Sequence, residues 1–316
     1  MAGKSSTRSG TRSSAESTTV EIEDRLLKLT NLDKVLYPGE GFTKGEVVRY
    51  YAEIAPVLLP CLRDRPVTLR RYPNGVDGTS FFEKNVPHGA PDWVRTTRQP
   101  TPGSGTGREA ADFVLADDVP TLVWLANLAA LELHVPQWTV GPRGGRRHPD
   151  LLVFDLDPGS PATIVDCCEV ALLIREQLAD DGLEPLAKTS GSKGMQLYAP
   201  VKVSNAEDTS RYAKDLAERL AEAHPHRVVA TMAKAARGGR VLIDWSQNNT
   251  AKTTIAPYSL RARPRPTVST PVSWSEVESC RKADDLVFTA TDIGSRLDKH
   301  GDLFEPLREN HRRLPY

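Results

Sequence analysis

Apolar positions in this chain recur with two periods, and each period predicts an element. Val47, Tyr51, Ile54 and Leu58 return every three or four residues behind Thr43 and Glu46, which have capping-box spacing. A helix is therefore expected from residue 43, kinked or ended near Pro56. Residues 65–72 set Val67 and Leu69 against Thr68 and Arg70, the alternation of a half-buried strand, and Pro73-Asn74-Gly75 turns the chain. Asp118 and Pro120 open an apolar helix reaching residue 131, followed by a strand over 131–138 that carries His134. Ser160-Pro161 is read as the start of a helix whose face is Ile164, Cys167, Ala171, Ile174 and Leu178, closed by Gly182. Two strands flank residues 190–194, with Gln196 and Tyr198 on one face of the second; a helix follows over 207–223, then a strand over 240–245. From residue 151 onward the order is β-α-β-β-α-β, which suggests an RRM-like half within an α+β fold.

Composition changes this picture little. The 316 residues are 39% hydrophobic and 26% charged, and no apolar run approaches the roughly 20 residues of a membrane helix. Residues 1–24, rich in Ser, Thr, Gly, Lys and Arg, are expected to be a disordered basic tail, leaving 25–316 as one domain. Residues 99–108, with two prolines and three glycines, are expected to be a loop. Cys61, Cys167, Cys168 and Cys280 form no zinc spacing and read as reduced, buried thiols of a cytosolic protein. The formal net charge of +0 means that any nucleic acid must be held by local basic patches.

The chemistry concentrates in Leu151-Leu152-Val153-Phe154-Asp155-Leu156-Asp157-Pro158, an apolar run that ends in two carboxylates and a proline. In a strand Asp155 and Asp157 point the same way, with Cα atoms about 7 Å apart, close enough to share a cation. Asp-x-Asp also occurs in sugar transferases, phosphatases and surface turns. A helix-capping role is weakened because Ser160 is available for it. Asp244, between Ile243 and Trp245, adds a third acid in a second apolar strand, where an unpaired carboxylate is costly. Three such acids suit two hard divalent cations. Ser190-Gly191-Ser192-Lys193-Gly194 offers backbone N–H groups and an ammonium to a phosphate, although it is no Walker A loop and a plain hairpin turn remains open. Lys234, Arg237, Arg240, Lys252, Arg261 and Arg263 follow, either as a solvated face or as a triphosphate clamp.

Further motifs accompany these. They are Leu29-Thr30-Asn31-Leu32-Asp33-Lys34-Val35-Leu36-Tyr37-Pro38, Phe81-Phe82-Glu83-Lys84, Leu133-His134-Val135-Pro136-Gln137-Trp138, Asp244-Trp245-Ser246-Gln247-Asn248 and Ala256-Pro257-Tyr258-Ser259-Leu260-Arg261. With them the chain resembles the primase-polymerase family of archaeo-eukaryotic type. The resemblance is closest to the polymerase domain of the bacterial nonhomologous end-joining ligase and its stand-alone relatives, over roughly residues 26–275. It implies a primase-polymerase fold of mixed and antiparallel sheets flanked by helices. It implies Asp155, Asp157 and Asp244 as the metal-binding catalytic triad, holding two ions, manganese by preference or magnesium. Ser190, Lys193, Arg237 and Arg261 match positions that hold the incoming triphosphate, and His134 and Ser246 match positions that line the nucleotide pocket. Asn31, Lys34 and Lys44 match a pocket for the downstream 5′-phosphate, and Phe81 and Phe82 match aromatics that stack on template bases, although one of the two rings reads equally as core.

Gln196 departs from the family, which usually has a histidine there that helps to hold the triphosphate. Glutamine still donates a hydrogen bond but cannot become cationic, so weaker nucleotide binding or slower catalysis is expected. The implied protein is a stand-alone, monomeric, nucleoid-associated DNA repair polymerase, since the sequence stops at Tyr316 without ligase or phosphoesterase domains. It would fill short gaps in broken or gapped duplex DNA from nucleoside triphosphates, favouring ribonucleotides, beside a separate ligase or end-binding protein. End-joining polymerase, de novo primase, non-catalytic end-binding module and metal-dependent nuclease are the competing readings.

Overall fold

Two sheets, each with its own apolar core, account for most of the computed structural model, which describes residues 17–101, 109–309 and 311–315. In the first sheet the strands run in the order Thr254–Ile255, Ala130–Val135, Pro66–Arg71, Ala110–Leu115, Thr96–Pro100, with Phe81–Glu83 beside Pro66–Arg71. The helix Lys44–Leu62 covers this sheet. Thr43 and Glu46 close the expected capping box, and Val47, Tyr51, Ile54 and Leu58 are buried. The helix does not stop at Pro56 but runs through it and Pro60. Each proline removes one intrahelical hydrogen bond, a loss outweighed by the continuous apolar face that ends at Leu62.

The second sheet carries the predicted β-α-β-β-α-β unit. Its strands lie in the order Val228–Val229, Val241–Asp244, Leu151–Pro158, Met195–Lys202, Leu186–Thr189, Pro271–Val272, with Arg312–Arg313 beside Met195–Lys202. Helices Ile164–Asp180 and Asp208–Ala223 bury Cys167, Ile174, Leu178, Tyr212, Leu216 and Leu220 against it. Antiparallel pairing dominates, and the mixed α+β class is as expected.

Several local expectations are corrected. Of the expected tail, residues 1–16 lie outside the described residues, but Ser17–Ile22 is a strand paired with Arg25–Thr30, so ordered structure begins well before residue 25. Of the loop expected over 99–108, residues 99 and 100 belong to the strand Thr96–Pro100, and 102–108 lie outside the described residues. The second helix spans only Val119–Asn127, because Ala129 adopts a φ of +55° that reverses the chain. The strand expected over 131–138 is Ala130–Val135, separated from Trp138–Val140 at Pro136, which has no N–H for a ladder. Thr163, not Ser160, caps the helix Ile164–Asp180, in a box with Asp166. The thiols of Cys167, Cys168 and Cys280 are buried, whereas Cys61 is half-buried. No helix among the described residues is long and apolar enough to cross a membrane.

Candidate active site

Asp155 and Asp157 leave the same face of Leu151–Pro158, and antiparallel pairing sets Asp244 directly opposite Asp155. One carboxylate oxygen from each lies within 4.8 Å of the others. Their proximity is electrostatically unfavourable. Burial, then Asp157, push the Asp155 carboxyl up to about 7, with Asp244 adding to the rise and a hydrogen bond from Gln196 opposing it. Burial and Asp244 also raise Asp157, against Arg237 and Arg261. An all-oxygen set that resists its own ionisation fits a divalent cation, which would relieve the repulsion. Asp244 is held firmly, accepting from the Ser246 N–H at 3.1 Å, the Ser246 hydroxyl, and Gln247 Nε2 at 2.8 Å.

Beside the triad opens a cavity of about 440 Å³, lined among others by His134, Ser190, Lys193, Gln196, Arg237 and Arg261. Its acidic wall is Asp155 and Asp157; Lys193, Arg237, Arg261 and Arg263 supply the opposing charge. The turn at 190–194 is shaped by Ser190, whose Oγ accepts from the N–H groups of Ser192 (3.3 Å) and Gly194 (3.2 Å). Gly194 is required sterically, since a Cβ there would lie 2.1 Å from the Leu156 carbonyl oxygen. Gly159 is equally confined: its Cβ would meet the Arg237 carbonyl oxygen at 1.9 Å. The buried Nε atoms of Arg237 and Arg261 make no hydrogen bond, although Arg261 Nε lies 3.4 Å from Glu132. Two guanidinium groups beside a cavity suit a polyanion.

Not every expected residue lines this cavity. Ser246 is spent on Asp244, and Lys252 donates to the Ser246 hydroxyl. Of the basic run, Arg237, Arg261 and Arg263 reach the cavity, while Arg240 turns to the Pro225 carbonyl. Gln196 lines the cavity, but its Nε2 donates to Asp155 Oδ1 at 3.0 Å. Phe81 and Phe82 are 43% and 59% exposed, so neither ring is core. Phe82 packs edge-on against His134 at 5.7 Å and has Arg70 over its ring, and Phe81 stacks under Arg71. Asn31, Lys34 and Lys44 gather at the entry to the first helix: the Lys34 N–H bonds the Asn31 carbonyl, and the Lys44 N–H bonds the Lys34 carbonyl. Burial, then Lys34, lower the Lys44 ammonium to about 8; that ammonium donates to Thr30, and Lys34 Nζ reaches Asn74 Oδ1 at 3.0 Å.

Two influential side chains escaped the sequence reading. Glu132, with a side chain 2% exposed, accepts from His134 Nε2 (3.0 Å) and the Ala262 N–H (3.1 Å), and lies 3.4 Å from Arg261 and 3.7 Å from Arg70. Burial opposes its charge, but these partners prevail and hold the carboxyl down at about 2. Burial also lowers the His134 imidazole, which is therefore neutral at pH 7. Lys188, fully buried, donates to Gln196 Oε1 and Ser269 Oγ at 2.6 Å each. A charge inside an otherwise apolar strand was the available signal for both.

With this geometry in place, residues 43–304 match the family described as LigD, primase-polymerase domain. The chain belongs to that family. It is thereby a polymerase-type nucleotidyltransferase domain, as the sequence motifs implied. It is 44% identical over 283 residues to the multifunctional non-homologous end joining protein LigD of Mycolicibacterium smegmatis, covering 89% of this chain and 36% of that protein. It is 33% identical over 291 residues to the bifunctional LigD of Bacillus subtilis, covering 92% and 45%. The chain thus spans less than half the length of either relative. Among solved structures, the polymerase domain from Mycobacterium tuberculosis ligase D in complex with DNA superposes with a TM-score of 0.82 at 41% identity, covering 89% of this chain and 97% of that one.

Proposed function

We propose that the chain is a DNA repair polymerase that adds nucleotides to a 3′-hydroxyl at short gaps or broken ends, as one catalytic domain. The observation that carries this reading is the Asp155, Asp157 and Asp244 cluster, two of whose carboxylates line one cavity together with Lys193, Arg237, Arg261 and Arg263. Asp155, Asp157 and Asp244 would hold two divalent cations, manganese or magnesium, whose charge would acidify the attacking hydroxyl and offset that of the triphosphate. Arg237, Arg261, Lys193 and the Ser190 turn grip the anionic tail and orient it towards the carboxylates. His134, held neutral and donating to Glu132, packs against Phe82 and contributes an uncharged wall suited to a nucleoside, while Phe82 and Phe81 offer ring faces to template bases. Ser246 acts behind Asp244. Lys34, Asn31 and Lys44 receive a downstream 5′-phosphate, a local attraction consistent with a chain of zero net charge.

The relatives are named for non-homologous end joining, and the solved neighbour was captured with DNA. The names favour broken ends and the neighbour favours DNA as the substrate, with a ligase acting on the product. The test is one gap-filling assay that crosses manganese with magnesium, ribonucleotides with deoxyribonucleotides, and a downstream phosphate with a hydroxyl. Extension favouring manganese, ribonucleotides and the phosphate is expected, and Asp155→Ala should abolish it. Undiminished extension by Asp155→Ala would overturn the catalytic assignment, and shortening of DNA without nucleotides would indicate a nuclease instead.

A further inference from the structure

A polar row crosses four adjacent strands beneath the cavity. Lys188 stands opposite Gln196, Gln196 opposite Asp155, and Asp155 opposite Asp244. Directly opposed residues in antiparallel strands are neighbours, and here hydrogen bonds join the first three: Lys188 Nζ to Gln196 Oε1 at 2.6 Å, and Gln196 Nε2 to Asp155 Oδ1 at 3.0 Å. We propose that Lys188 is a positioning residue for the acidic triad, acting through Gln196 to hold the Asp155 carboxylate where it converges on Asp157 and Asp244. This rests on the metal-centre reading above.

Donor and acceptor chemistry permits one arrangement of the row. With a cation bound Asp155 is ionised; an ionised carboxylate only accepts and an ammonium only donates, so the amide then turns Nε2 to Asp155 and Oε1 to Lys188. Tyr198 reinforces that orientation by placing its hydroxyl 3.3 Å from the same Oε1. Ser269, the other partner of Lys188, gives its own hydroxyl hydrogen to the Thr189 carbonyl at 2.9 Å and so can only accept from the ammonium. Without Lys188 the amide would lose its strongest anchor and could present Oε1 to Asp155, which is repulsive. Stability does not explain the lysine, because it is fully buried and its two hydrogen-bond partners are both uncharged. Gln196, at the position where the family usually has a histidine, is therefore used here to orient a carboxylate.

The sign of the effect separates positioning from simple electrostatics. Deleting a cation near three carboxylates should by charge alone tighten the binding of a second cation, whereas loss of orientation should weaken it. Mn²⁺ is titrated into the full chain without nucleotide or DNA, with free ion followed by electron paramagnetic resonance. Asp155→Asn serves as control; if it leaves Mn²⁺ binding unchanged, the metal-centre reading itself fails. Given a response to that control, Lys188→Met is expected to weaken Mn²⁺ about fivefold, and Gln196→Leu at least as much. The double variant should be no weaker than Gln196→Leu alone, because both act through one amide. Unchanged or tighter Mn²⁺ binding in Lys188→Met, or effects that multiply in the double variant, would overturn the proposal. Should Lys188→Met fail to fold, Gln196→Leu decides: it keeps the ammonium, and only weakened Mn²⁺ binding supports a positioning role for the row.

Discussion

Glu132→Gln is the most informative single perturbation, since this carboxylate connects His134, Arg261 and Arg70 without lining the cavity itself. Glutamine preserves its shape and behaves as a permanently uncharged version of the side chain. The folded protein holds this carboxyl at about 2 against an ordinary 4.5, a preference for the charged form worth about 3 kcal/mol. His134 is neutral at pH 7, so its share there is a hydrogen bond and not an ion pair, which brings the expected loss to roughly 2–3 kcal/mol. Because the folded carboxyl titrates below the unfolded one, this stabilisation is complete above about 4.5 and disappears as pH falls through about 2. Urea unfolding of parent and variant at pH 7, repeated towards pH 3, measures both the difference and its contraction. With Arg261 and His134 released, the KM for nucleotide should rise several-fold with a smaller change in kcat. A stability difference within about 0.5 kcal/mol at pH 7, the size of an ordinary surface substitution, would refute the assigned role of Glu132. So would a difference that persists unchanged in acid.

Three further outcomes are expected. Gly159→Ala, whose Cβ would meet the Arg237 carbonyl oxygen at 1.9 Å, should cost about 1–3 kcal/mol in thermal or urea unfolding and raise the nucleotide KM by displacing Arg237. Lys34→Ala should weaken binding to a gap ending in 5′-phosphate more than to one ending in hydroxyl; equal loss in a fluorescence anisotropy titration would remove the phosphate pocket. Mn²⁺ at a hundred times its dissociation constant should stabilise the protein by about 2.7 kcal/mol, seen as a rise in melting temperature that Asp155→Asn removes.

The candidate site was legible because its signals are local. Two carboxylates at spacing two in an apolar strand must share a face, and the capping box at Thr43 needs only neighbours in sequence. Periodicity likewise indicated the β-α-β-β-α-β order, and short local motifs indicated the family. Helix ends were less legible. Ala129 reverses the chain with a left-handed φ that its residue type does not announce, and Pro56 is overruled by a buried face extending beyond it. What only the tertiary structure decided were the partnerships across strands and sheets. Glu132 organises Arg261, 129 positions later in the chain, and Ser246 serves Asp244 instead of the cavity. Gln196 read as a weakened triphosphate ligand because sequence shows what a side chain can donate but not which acceptor it meets. Register places Asp155 on one side of that amide and Lys188 on the other, and a buried polar group takes the partners that packing supplies.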